Sequence, residues 1–122
     1  MPVVYRFKKK PTQVLFVNRF KIDIKKLREY CLNSDHPVGK HKARVFHASL
    51  GLVKRDAKLL KRKIVKQIQN ADLKKEFEDE YGVRYSAVVS VVIYDKAATV
   101  KTIWIVRSGQ NVAELVTCFI QN

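Results

Sequence analysis

Three runs rich in β-branched and aromatic residues constrain the fold of this chain more than any other feature. GVRYSAVVSVVIY (82–94), TVKTIWIVR (99–107) and VAELVTCFIQ (112–121) are separated only by DKAA and SGQN. Such side chains fit a pleated surface, and connections this short join antiparallel neighbours, because a parallel crossover needs a dozen residues or more. The last third is therefore expected to be a three-stranded antiparallel meander. Alternation puts Thr102 and Trp104 on one face and Lys101, Ile103 and Ile105 on the other; on the next strand it pairs Thr117 with Phe119, opposite Val116 and Cys118. Both faces are apolar, so alternation leaves open which one is covered.

Upstream the period changes from two to that of a helix. Asp23 can cap a helix over about 24–32 whose stripe is Ile24, Leu27, Tyr30 and Cys31, with Asn33 as its stop. SDHPVGK reads as a loop. A second helix follows over about 40–50, with Ala43, Phe46 and Leu50 inward and Gly51 ending it. Asp56 is expected to cap a third, to about residue 70, burying Leu60, Ile64 and Ile68 and presenting Lys58, Lys61, Arg62, Lys63 and Lys66 to solvent. In residues 1–20, VVYRF and TQVLFVN flank KKKP and suit a short hairpin or edge strands. The acidic patch Glu76, Glu78, Asp79 and Glu80 reads as a solvated segment. The expected architecture is α+β: N-terminal helices packed on a C-terminal antiparallel meander, in one domain of 122 residues with its core in 21–121.

Charge narrows the function classes. The chain carries 25 Lys and Arg against 11 Asp and Glu, a net +14. Such an excess draws polyanions, and RNA is the first candidate because cations near phosphates release counterions. An acidic protein partner would answer the same field. Cys31 and Cys118 have no ligand spacing and are expected as buried free thiols in a reducing cytoplasm. The basic run after a very short apolar start reverses a secretory signal, and no apolar run approaches the ~18 residues of a membrane span. The expectation is a soluble cytoplasmic protein that needs no membrane. Without a Gly-rich phosphate loop, a Gly-x-Ser-x-Gly elbow or a His-x-x-x-His pair, no cofactor or metal is expected.

The chemistry-bearing segment is HPVGKHKARVF (36–46). His36, Lys40, His41, Lys42 and Arg44 crowd a helix N-terminus, where the dipole favours anions, and such local violations often mark function. His41 lies off the apolar stripe and is the better proton-transfer candidate; His47, about 100° from Phe46, is expected to pack or face solvent. Metal-free RNA cleavage needs a base for the 2′-OH, an acid for the leaving oxygen and donors for the phosphorane. Thr102, Thr117 and Tyr85 could supply hydroxyls, Trp104 a stacking wall, and Lys61, Arg62 and Lys63 backbone contacts. A solvated basic helix start accounts for the segment equally well, and Thr, Tyr and Trp are ordinary strand residues.

HPVGKHKARVF, YGVRY, KTIWIV and ELVTCFI together resemble an uncharacterised bacterial domain family with an HPxGxHKAxxF segment and a Thr-x-Trp strand, over about residues 21–121. Helices carrying His and Lys followed by a sheet carrying Thr are also similar in layout to the barnase/EndoU/colicin/RelE group of metal-independent ribonucleases and toxins. That likeness implies a ribonuclease toxin with an acidic antitoxin or immunity partner. It casts His41, Lys42, Thr102 and Thr117 as catalytic, while the charge at the helix start offers His36, Lys40 and Arg44 as phosphate contacts. A non-catalytic nucleic-acid-binding module and a binder of an acidic protein are the alternatives.

Overall fold

Strand β1 (Val3–Arg6) pairs antiparallel with β2 (Val14–Val17), Val3 opposite Val17, as the two N-terminal runs imply. The computed structural model describes residues 3–6, 14–17 and 19–121, with side-chain burial from Arg19 to Gln121; the KKKP turn lies outside the described residues. A third short strand, β3 (Arg19–Lys21), was not anticipated. It leads into α1 (Ile24–Lys26), where Asp23 accepts a hydrogen bond from the Lys25 backbone N–H at 3.0 Å. The helix then widens into a π-helical segment, Leu27–Cys31, that buries Leu27 and Cys31.

Helix α2 is Lys40–Leu50, buries Ala43, Phe46 and Leu50, and ends at Gly51 with φ 71°, a conformation that favours glycine. Asp56 behaves differently from expectation. Its carboxylate accepts from the Val53 N–H at 2.9 Å and closes a 3₁₀ turn, Lys54–Asp56, ahead of α3 (Ala57–Ile68). The inward set Leu60, Ile64 and Ile68 is as the spacing implies.

The meander is β5 (Gly82–Ile93), β6 (Lys96–Arg107) and β7 (Val112–Gln121). The first hairpin is tighter than read from sequence: Ile93 pairs with Lys96, leaving Tyr94 and Asp95 as the turn. The acidic patch corrects the larger expectation, because Lys74–Asp79 forms β4, an edge strand antiparallel to β5. Its charges are tolerated because an edge strand needs only one paired side, and Arg84 holds Asp79 at 3.2 Å. With β3 parallel to β7, the sheet has five strands in the order β3-β7-β6-β5-β4 and is mixed rather than purely antiparallel.

One sheet face is covered. Helix α2 packs on β6 and β7, and α3 on β5. Between them lie Leu27, Phe46, Leu60 and Ile64 from the helices and Val91, Val100, Trp104 and Leu115 from the strands. Burying each such side chain contributes about 1.5–3 kcal/mol. On the opposite face Val88 and Val92 of β5 are exposed. The chain is thus α+β. Among the described residues, no helix is long and apolar enough to cross a membrane.

Candidate active site

The site is built where the HPVGK loop, the π-helical segment and a β-bulge meet. His36 opens the loop, and its Nδ1 accepts from the backbone N–H groups of Val38 (3.0 Å) and Gly39 (2.9 Å), two donors at the start of α2 that lack helical partners. The neutral ring therefore carries its proton on Nε2. Gly39 is required because the loop passes directly over the preceding segment: a Cβ there would collide with the carbonyl oxygen of Tyr30. The Tyr30 and His36 rings meet edge to face at 4.8 Å. His36, Gly39 and Tyr30 so lock the start of α2 onto the π-helical segment.

From that fixed start, Lys42 reaches across to the sheet. Its Nζ donates to Thr117 Oγ1 at 3.4 Å and to Tyr30 OH at 3.5 Å, and lies 5.2 Å from the Tyr30 ring centroid and 5.4 Å from that of Phe119. Among the described residues no carboxylate pairs with it; the ring faces answer its charge instead. Thr117 is aimed at it by the bulge. Thr102 pairs with Cys118 and Ile103 with Thr117, but Trp104 pairs with Leu115, leaving Val116 as an extra residue. The extra residue shifts the alternation, so Thr117 and Cys118 are both turned to the helices.

Beneath Thr117 lie two thiols. Cys31 Sγ is 3.8 Å from Thr117 Oγ1, and both cysteines are free and wholly buried, as read from sequence. The Cys118 thiol donates to Cys31 and, against the cost of burial and with help from Thr117 and Lys42, pulls the Cys31 thiol down to about 6. Cys118 is pushed up by the same hydrogen bond and by burial. Among the described residues no three of His, Cys, Asp and Glu group as metal ligands.

Two clefts flank Lys42. One, of about 520 Å³, is lined by Lys25, Lys26, Glu29, Tyr30, His36 and Thr117. The other, of about 240 Å³, is lined by His41, Lys42, Val45, Phe119 and Ile120. His41 is exposed at its rim.

The fold therefore gathers His36, His41, Lys42 and Thr117 and separates the other candidates. Thr102 is a correction. It is wholly buried, donates to Ala87 O at 2.8 Å and accepts from Trp104 Nε1 at 2.7 Å, so its hydroxyl is spent inside the sheet. Trp104 is equally buried, edge-on to Phe20 at 5.1 Å, and offers no stacking surface. Tyr85 sits opposite Trp104 on β5, where burial, then the Glu78 carboxylate, pushes its hydroxyl up. Arg44 is two residues from Lys42, on the far side of α2, and lines a separate cleft with Asp35 and His47. Lys40 is half-buried at the first position of α2. Lys61, Arg62 and Lys63 lie on α3, which packs on β5 rather than β7.

Sequence reasoning missed Tyr30, Lys25, Lys26, Val45 and the contribution of Phe119. The spacing puts Tyr30 on the apolar stripe of the first helix; the available signal is its hydroxyl, which a buried position must satisfy.

Fold and site together define an α+β domain in which a basic helix start closes over a bulged strand. Residues 14–122 match the family described as domain of unknown function DUF6883, and the chain belongs to that family. The match begins earlier than the resemblance over 21–121 and takes in β2 and β3. Searches of the curated proteins and of the solved structures give no match.

Proposed function

We propose that this chain is a metal-independent endoribonuclease of the kind used as a toxin in bacterial conflict. The observation that carries the reading is Lys42: an ammonium without a carboxylate partner among the described residues, within 3.5 Å of two hydroxyls and between two histidine-bearing clefts. The net charge of +14 supplies long-range attraction for RNA.

In this mechanism the substrate 2′-OH attacks the adjacent phosphorus and the bond from phosphorus to the 5′-oxygen breaks. The products are a 2′,3′-cyclic phosphate and a 5′-hydroxyl. His41, exposed at the rim, takes the 2′-OH proton. His36, whose Nδ1 is engaged with backbone N–H groups, donates an Nε2–H hydrogen bond to the scissile phosphate without losing that proton, and the leaving oxygen takes its proton from a water molecule. Lys42, Thr117 and Tyr30 donate to the non-bridging oxygens, where negative charge accumulates. An acidic antitoxin or immunity protein would cover the same cations.

The test is incubation of the purified protein with total RNA in EDTA, followed by end-group analysis. Cleavage to cyclic phosphates is expected, with Lys42→Ala and His41→Ala each slower by about 10²-fold or more. Intact RNA, or cleavage abolished by the chelator, would sink the proposal. A second reading, a non-catalytic nucleic-acid binder, is favoured by the exposed cations Lys58, Arg62 and Lys66 on α3. It expects binding that survives His41→Ala and fails when α3 is neutralised.

A further inference from the structure

We propose that the cleft between His41 and Phe119 is a nucleobase subsite, holding the base of the nucleoside next to the phosphate at Lys42. The inference rests on the ribonuclease reading and names where its substrate is gripped.

Lys42 lines the Phe119 cleft and meets the other through Tyr30 and Thr117, with its ammonium 5.2 Å from the Tyr30 centroid and 5.4 Å from that of Phe119. The Tyr30 cleft carries the cations Lys25 and Lys26 and the hydroxyls of Tyr30 and Thr117, together with the Glu29 carboxylate and Val116. The Phe119 cleft is different: Val45, Phe119 and Ile120 make it apolar, and His41 and Lys42 are its polar members. Val45 is 36% exposed on α2, an aliphatic side chain left facing this space beside a basic helix start. A single-stranded nucleic acid alternates a charged phosphate with a flat ring system whose faces are apolar. A phosphate on Lys42 therefore sets a neighbouring base against Phe119, on whose ring it can stack, with His41 at the edge to meet the ribose hydroxyl or the base rim. At about 240 Å³ the cleft has room for one ring system and not for a paired duplex. The substrate class is thus unpaired RNA with one base accepted by stacking, which tolerates any base because every base has a π-face.

The experiment measures binding, so that it stands apart from catalysis. Single-stranded trideoxynucleotides, which lack the 2′-OH and cannot be cleaved by this route, are titrated intact and with each base removed in turn. Wild type is expected to bind about tenfold more weakly when one particular base is missing. Phe119→Ala, and Val45→Trp, which fills the cleft from an exposed position, are expected to bind the intact and abasic strands alike, at the wild-type abasic level. Indifference of the wild type to every base removal, or discrimination retained in both folded variants, overturns the subsite. Base-dependent binding without RNA cleavage would overturn the enzyme reading and leave the subsite standing; cleavage with base-indifferent binding would do the reverse.

Discussion

Lys42 and the Cys31 thiol approach one threonine hydroxyl from two sides, and the lowered thiol makes stability respond to pH. The folded pair of thiols releases its first proton near 6, because Cys118 donates to Cys31, whereas an unfolded cysteine does so near its ordinary value of 9.0. Between those values the unfolded state binds more protons, so stability rises with pH; the contribution is lost as pH falls through 6. Above the ordinary value the sign reverses, since Cys118 keeps its proton in the folded state and loses it on unfolding. Denaturant titrations at pH 6 and 8 should show the wild type gaining stability over that interval and Cys31→Ala gaining less; equal gains would remove the thiolate from the account. At this scale, Lys42 and Thr117 could be read from sequence because their segments mix polar chemistry with strong periodicity. Thr102 was misplaced because alternation says which residues share a face but not which face the helices cover.

Elements differ in how openly the chain declares them. Helix α2 was legible to the residue, since Ala43, Phe46 and Leu50 fall on one stripe and Gly51 supplies its left-handed end. Strand β4 was hidden because its residues are acidic, and pairing with β5 outweighs their poor strand propensity. The bulge at Val116 was invisible to a parity argument, which assumes no inserted residue, although it directs Thr117 at Lys42. The sequence marks Gly39 only as a loop residue, whereas the fold makes it the contact between two elements of the site. Gly39→Ala is expected to destabilise by about 1–3 kcal/mol, because a methyl must displace the Tyr30 carbonyl. Thermal unfolding would measure that loss. In any fraction that folds, RNA cleavage should fall further than for His47→Ala, which lies in a different cleft. Unchanged stability would mean that the loop does not ride on the π-helical segment as described.

Over the whole molecule, the Lys42 site lies on the β7 flank and the basic helix α3 packs on the β5 side. If α3 only gathers RNA, neutralising Lys58, Arg62 and Lys66 together should flatten the dependence of binding on salt by about two to three ion equivalents. It should leave the single-turnover cleavage rate at saturating RNA unchanged. A matching fall in that rate would place α3 inside the reaction. The α+β layout followed from the order of helical and strand patterns, but the pairing of β3 with β7 did not, because nothing local in Arg19–Lys21 names a partner so far along the chain. That pairing bears on how the site comes into being. β7 lies between β6, its immediate predecessor, and β3, made long before it, so it must be inserted rather than appended. Until that closure, Lys42 has no Thr117 to meet, and closing so long a loop is the slow kind of folding step. During synthesis, the groups from 30 to 42 emerge early, and Lys42 and Thr117 come together only when β7 is inserted.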